Sequence, residues 1–425
     1  MRLSPALVEA YVDAAAAVLR FERPADAVLS AFFRAHPQLG VHDRGFVADS
    51  VYALLRRRRL LEFALDEIGV ARPGARMLAL ASLVRVAGHN LREIAGVARG
   101  ELARLEAVKG AARGALPLAV DCDLPDWVVE RALPIFGEAG LRSLAHALAR
   151  PAPLDLRVNL AATSRDEAAA ALAADGIAAL PTPYSPAGLR VAGKPALARN
   201  RLFTSGAIEV QDEGSQLLCL LLGPRRGEMV ADFCAGAGGK SLALGALMRS
   251  TGRIYAFDVS ERRLAKLAPR LARSGLSNVH PQRIESERDA RIRRLAGKID
   301  RVLVDAPCTG LGTLRRNPDL KWRQDERALA ELAAKQAAIL GAAAALVKRG
   351  GRLLYATCSI LAEENDRVVQ AFRAAHPDFD LVPPAAAFAA ARIVLPEHGA
   401  EDPFLRLRPD VHGTDAFFGA LMARN

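Results

Sequence analysis

Apolar and polar positions follow three rhythms along this chain. Through residue 112 they recur at helical spacing. Ser4 before Pro5 is a cap and first-turn signal, and Val47, Val51, Leu54, Leu55 and Leu61 mark one long helical segment over 46–68. Residues 121–125 read as a linker, followed by short helices to Ala149 and a break at Arg150-Pro151-Ala152-Pro153. Then the period changes. Residues 154–160 alternate like a strand, Ser164 and Glu167 have capping-box spacing and predict a helix through Ala174, and 177–180 and 188–191 are strand-like. From residue 206 onward, buried-strand candidates at 230–233, 254–257, 302–304 and 353–355 alternate with helical segments. That alternation predicts an α/β region with a doubly wound parallel sheet. The expected organisation is a helical domain (1–120), a helical linker (121–153), a small α+β unit (154–205) and the doubly wound region (206–425).

Composition narrows the classes. A chain of 425 residues is too long for one ordinary core, and an apolar fraction of 51% allows sizeable ones. A formal net charge of +11 favours a polyanionic partner. Cysteines at 122, 219, 234, 308 and 358 include no Cys-x-x-Cys pair, so neither a zinc site nor a disulfide framework is expected. Glu9 and Asp13 interrupt the amino-terminal apolar stretch, and the uncharged run 337–347 is too short to span a bilayer. A soluble, cytoplasmic protein without metal or membrane partner is the expectation.

The segment Asp232-Phe233-Cys234-Ala235-Gly236-Ala237-Gly238-Gly239-Lys240 follows a strand and opens a helix. Its glycines permit a tight turn and close approach of a ligand to free backbone amides. A phosphate-binding P-loop would need glycine where Cys234 stands, and a dinucleotide fingerprint would need one where Ser241 stands. A loop for S-adenosylmethionine, which has no pyrophosphate, tolerates the shorter pattern. Asp258 ends the next strand about 20 residues after the first glycine, where a carboxylate can accept hydrogen bonds from ribose hydroxyls.

Two cysteines stand just past predicted strands, in Asp305-Ala306-Pro307-Cys308 and Thr357-Cys358-Ser359. Chemistry gathers at such strand ends. Methylation of cytosine at carbon 5 would use them. That carbon is a poor nucleophile until a thiolate adds to carbon 6; afterwards a proton must leave carbon 5 and the thiol must be eliminated. Asp305, expected protonated beside a thiolate, could polarise the ring near nitrogen 3. Lys240 could lower a thiol pKa or contact the base. The chemistry does not say which cysteine attacks. Cys122, Cys219 and Cys234 read as small buried hydrophobes, with the Cys234 backbone lining the cofactor loop.

These residues resemble the RsmB/Nop/Sun family of RNA cytosine-5 methyltransferases. The resemblance rests on the loop 234–240, Asp258 with Arg263, Asp305-Ala306-Pro307-Cys308 with Gly310, Gly312 and the segment 314–322, and 355–359 with Glu363-Glu364-Asn365. Arg157-Val158-Asn159, 210–215 and 413–418 also fit. It implies a Rossmann-like methyltransferase core at 206–425, a NusB-like helical RNA-binding domain at 1–120, matched through 43–47 and 51–56, and an RNA-recognition-like unit at 154–205. It further implies that Cys358 attacks the base, that Cys308 assists product release, and that Asp305 and Lys240 hold the base. Cys234, Ala235, Gly236, Ala237, Gly238, Gly239, Lys240, Asp258, Arg263 and Asp305 would bind S-adenosylmethionine. Bacterial small-subunit ribosomal RNA is the implied substrate. Three departures stand out. Ala237 replaces a frequent proline, Ala416 replaces a frequent glycine, and the third cofactor-binding acid could be Glu285, Glu287 or Asp289.

Other readings are a methyltransferase acting on tRNA, a DNA cytosine methyltransferase, a dithiol redox protein and a non-catalytic RNA-binding or ribosome-assembly factor. A DNA enzyme would not need Thr357-Cys358 and usually carries a Glu-Asn-Val motif, absent here; a redox protein would not need Asp258. The run Arg56-Arg57-Arg58-Arg59 reads as a solvated helix face or a phosphate grip. Arg315, Arg316, Trp322 and Arg323, following Cys308, are expected either to guide RNA or to pack as a surface loop.

Overall fold

The computed structural model describes residues 3–112, 114–193 and 195–425. The chain divides into two compact units, one of residues 1–151 with 313–326, the other of 152–312 with 327–425.

The first unit is helical: Pro5–Val18, Ala25–Ala35, Val41–Arg56, Arg58–Asp66, Ala75–Arg85, Arg99–Gly110 and Asp126–Leu148 pack around Tyr11, Val51, Leu54, Leu61 and Leu80. The Ser4 hydroxyl accepts a 3.2 Å hydrogen bond from the Leu7 amide, capping the first helix. The long helix expected over 46–68 is two helices that break at Arg57. The cause is Asp123, fully buried, whose carboxylate accepts the Arg59 amide at 2.8 Å and pairs with Arg57 at 3.3 Å. A carboxylate at a helix start neutralises the exposed amides there. The expected linker is therefore packed: Cys122 and Leu124 are buried on either side of Asp123. After it, Asp126–Leu148 is interrupted at Gly137 (φ 65°), three residues past Pro134.

The arginine run is taken up inside this unit. Arg56 donates to the Arg315 carbonyl at 2.9 Å, Arg58 to Glu62 at 2.7 Å, and Arg59 to the Leu124 carbonyl at 2.6 Å and to Asp126 at 2.5 Å. The segment 313–326, expected within the methyltransferase region, belongs to the helical unit. Its Lys321 is buried and donates to the carbonyls of Asp123 (2.5 Å) and Arg56 (3.0 Å); burial lowers its pKa to about 8. The Trp322 indole donates to the Leu55 carbonyl at 3.0 Å and lies under the Arg58 guanidinium. Of the two roles considered for this segment, the packing one describes where Trp322 and the Arg315 carbonyl stand: both are held within the helical unit.

The second unit holds two sheets. The smaller contains Leu154–Val158 (β1), Ala179–Pro181 (β2), Gly188–Val191 (β3) and Ile208–Val210 (β4), antiparallel in the order β2-β3-β1-β4. The helix Arg165–Ala174 lies at the predicted place, with its capping box formed. Because β4 pairs with β1, this sheet runs past residue 205 to Val210. Three residues after a glycine are too few to show a period.

The larger sheet contains Met229–Asp232 (β5), Arg253–Asp258 (β6), Val279–Arg283 (β7), Ile299–Asp305 (β8), Val347–Thr357 (β9), Phe379–Leu381 (β10), Leu405–Leu407 (β11) and Phe417–Arg424 (β12). The order is β10-β12-β9-β8-β5-β6-β7, with β11 on β12. The pairs from β9 to β7 are parallel, and β12 joins β9 antiparallel. This is the expected doubly wound, Rossmann-like core, completed by an antiparallel edge. The order reverses between β5 and β8, the crevice where such sheets bind ligands. Asp232, Asp258, Asp305 and Thr357 are the last residues of their strands there. Among the described residues, no helix is long and apolar enough to cross a membrane.

Trp322→Ala is expected to destabilise the helical unit by about 2–3 kcal/mol, measured by denaturant unfolding. Unchanged stability with weakened RNA binding would restore the RNA-guiding role.

Candidate active site

Asp258 builds the glycine loop. It is 4% exposed; one carboxylate oxygen accepts the Gly236 amide at 2.8 Å and the other the Ser260 amide at 2.7 Å. Ala235 donates to the Phe257 carbonyl at 2.8 Å, tying the loop to β6. Gly236 (φ 57°) and Gly238 (φ 79°) are left-handed, and a Cβ at Gly238 would meet Leu267 at 2.1 Å. The Ala237 carbonyl accepts from Arg270 at 2.6 Å, and Arg270 also reaches Glu209 on β4 at 3.0 Å. The small sheet is thereby fastened to the loop. Cys234 is half-buried beneath it, and burial pushes its thiol pKa far up. Arg263 is largely exposed, 3.7 Å from Asp258. Of the three acids left open, Asp289 caps the helix 290–293 through the Arg291 amide at 2.8 Å. Glu285 is exposed and directly follows Ile284, whose amide reaches the Asp258 carbonyl at 3.1 Å.

Lys240 and Asp305, 65 residues apart in sequence, meet at 2.7 Å. Burial works against the Lys240 charge, but attraction to Asp305 and the hydrogen bond that Lys240 donates to it outweigh burial and hold the ammonium above the usual lysine range. Asp305, considered in the sequence for its place beside a thiolate, accepts the hydrogen bond of this ammonium. The Phe417 ring lies 5.5 Å from the Lys240 nitrogen.

The Cys308 and Cys358 sulfurs are 3.4 Å apart. They come from separate turns, and Glu364 holds these together. Its carboxylate, wholly buried, accepts the Thr309 amide (2.8 Å), the Thr309 hydroxyl (2.5 Å) and the Gln336 side-chain amide (3.0 Å). Gln336 also donates to the Pro307 carbonyl at 2.8 Å, and the Tyr355 hydroxyl to the Glu364 carbonyl at 2.6 Å. On the other turn, Thr357 donates to Asn365 at 2.5 Å, and Asn365 donates to the Ser359 carbonyl at 3.0 Å. Gly312 donates to the Cys358 carbonyl at 2.8 Å and has no room for a Cβ, which would sit 2.3 Å from the Ala416 carbonyl. The hydrogen bond with Cys358 and burial together raise the Cys308 pKa well above the free-thiol range.

Sequence reasoning gave Asp232, Gln336, Glu364 and Phe417 no role. Asp232 shared the strand-end signal that singled out Asp258 and Asp305. Its carboxylate is buried, with one oxygen accepting the Ser241 hydroxyl at 2.6 Å and the other without a hydrogen-bond partner. Burial raises its pKa to about 7. Cys122 and Cys219 are buried, as expected.

Two outcomes follow. Because the folded-state pKa of Asp232 lies above its unfolded value, its stabilising contribution is present at acid pH and falls as pH rises through about 7. Asp232→Asn should flatten the decline in melting temperature between pH 5 and 8; an identical pH profile would refute the assignment. Mild oxidation with diamide should join Cys308 to Cys358, seen as a linked peptide pair by mass spectrometry without reductant. Recovery of both as separately modified thiols would contradict their adjacency.

Residues 219–423 match the family described as 16S rRNA methyltransferase RsmB/F, and 124–197 match an RsmF/B-like, ferredoxin-like domain. The chain is 32% identical over 384 residues to a probable ribosomal RNA small subunit methyltransferase B of Synechocystis, covering 83% of this chain and 86% of that one. A Bacillus subtilis protein of the same description is 33% identical over 310 residues, 71% of this chain and 66% of the relative. The crystal structure of PH0851 superposes with a TM-score of 0.79 at 26% identity, covering 100% of both chains. The chain belongs to the RsmB/F family of 16S rRNA methyltransferases.

Proposed function

We propose that this chain transfers a methyl group from S-adenosylmethionine to carbon 5 of a cytosine in small-subunit ribosomal RNA, through a covalent bond between Cys358 and the base. The observation that carries this is the pair of sulfurs 3.4 Å apart, at strand ends of the same sheet edge that presents the Lys240–Asp305 pair.

The loop fits the cofactor. Asp258 retains acceptor capacity beyond the two amides that it holds, and the left-handed glycines bring backbone amides to the crevice. Gly236, Gly238, Gly239 and Asp258 would hold it, with Glu285 the nearest of the three acids to follow β7. S-adenosylmethionine supplies an electrophilic methyl carbon when bound. Cys358 adds to carbon 6 of the flipped-out base, which makes carbon 5 nucleophilic. Lys240, kept charged by Asp305, donates toward nitrogen 3 and draws electron density from the ring. The carbon 5 proton must leave before the carbon–sulfur bond breaks. Once Cys358 is bonded to the base, the hydrogen bond that most raises the Cys308 pKa is gone; Cys308, as thiolate, takes the carbon 5 proton on its sulfur, the carbon 5–carbon 6 double bond re-forms and Cys358 leaves as thiolate. The helical unit and the small sheet are proposed to bind RNA, in line with the NusB-like and RNA-recognition-like resemblance. Cytoplasmic residence follows from the substrate.

The test uses purified protein, unmodified 16S rRNA and labelled S-adenosylmethionine. Cys308→Ala should accumulate a protein–RNA adduct stable to denaturant, Cys358→Ala should form none, and Lys240→Met should lower kcat by about 10²–10⁴-fold. The reverse cysteine pattern would exchange the two roles. Label on tRNA or DNA alone would replace the substrate, and no transfer to any nucleic acid would favour an assembly factor.

A further inference from the structure

We propose that the methyltransferase unit carries a second RNA-contact site, a basic cleft at the outer edge of its sheet that grips phosphates of the substrate backbone away from the catalytic crevice. This rests on the reading that the substrate is RNA.

The cleft has a volume of about 370 Å³ and is lined by Tyr255, Gln282, Arg291, Arg294 and Leu295, with no carboxylate among them. It lies where β6 meets β7, the last strand on that side. The Arg253 guanidinium sits 5.2 Å from the Tyr255 ring centroid, so a third arginine borders it. Among the described residues, neither Arg253 nor Arg294 has an acidic partner, and both are exposed. Partial burial, with the Arg253 charge beside it, holds the neighbouring His280 below its usual pKa. Arg291 also donates to the Arg283 carbonyl, which fixes its guanidinium at the cleft and leaves Arg253 and Arg294 as the two uncommitted charges.

The arrangement selects backbone over base. One face of Tyr255 stacks on Phe257 (5.9 Å, 8°), and Arg253 covers the ring as well. The ring therefore supports a guanidinium and offers no platform to a nucleobase. Guanidiniums lining one cleft suit phosphate oxygens, and such contacts set register without reading sequence. An enzyme that admits a single nucleotide to its crevice has to hold the rest of a long polyanion elsewhere.

The experiment measures binding of unmodified 16S rRNA to the full chain across a salt series, with Arg253→Gln/Arg294→Gln compared with wild type. Both side chains are exposed and without an acidic partner, so folding should be unaffected, checked by the melting temperature. The expected result is affinity weakened by about tenfold at 0.15 M salt, with the slope of log K against log salt reduced by about 1.4–1.8. The KM for S-adenosylmethionine and kcat at saturating RNA should stay unchanged. Equal affinity and slope for variant and wild type would overturn the proposal, including the case in which the variant instead loses an acidic protein partner. Binding is read without turnover. Failure of the methylation reading would appear separately, as wild-type protein that binds RNA but transfers no label.

Discussion

The buried carboxylate of Glu364 is the constraint on which the site depends. Two turns fifty residues apart in sequence must place sulfurs within 3.4 Å, and neither turn has regular structure to fix it. Glu364 receives three hydrogen bonds from Thr309 and Gln336, while its own carbonyl accepts from Tyr355 on β9. A buried carboxylate is costly without donors, so the Cys308 turn is held where Glu364 can be satisfied. Gly312 closes the arrangement from the other side by bonding the Cys358 carbonyl.

The same logic explains the short segments that carried the family resemblance far from the cysteines. Arg157 donates to Gln211 at 2.6 Å, joining β1 to the turn after β4. Asn159 donates to the carbonyls of Gly206 (3.2 Å) and Ser274 (3.0 Å). Glu213, fully buried, accepts the amides of Tyr184 and Ser185 at 2.6 and 2.7 Å. Asp212 accepts the Asp415 amide, while Gly214 leaves room for the Phe417 ring. These residues set where the small sheet and the carboxyl-terminal strand stand against the loop bearing Lys240. Their influence on the chemistry runs through that placement.

What could be read from sequence was local. The glycine loop, Asp258 and the two cysteine turns announce themselves within a few residues, because a strand end followed by a turn is a short-range pattern. The capping box at Ser164 and Glu167 is of the same kind. Pairings across long separations were hidden: Lys240 with Asp305, Asp123 with the arginine run, Trp322 with Leu55. Four consecutive arginines look like a nucleic-acid grip until the acid and carbonyls that receive them are located elsewhere in the chain. The strands β4, β7, β10, β11 and β12 were missed: three-residue strands show no period, an edge strand such as His280-Pro281-Gln282 is polar, and the continuous apolar run of β12 does not tell strand from helix.

The central claim is that sulfur 358 bonds to the target base. RNA containing 5-fluorocytidine tests it most directly, since fluorine in place of the carbon 5 proton blocks release after methyl transfer. Digestion of the trapped complex and mass spectrometry of the peptides should find the nucleotide on Cys358, with Cys308 unmodified. A nucleotide on Cys308, or no covalent complex when methylation of ordinary RNA proceeds, would contradict the claim.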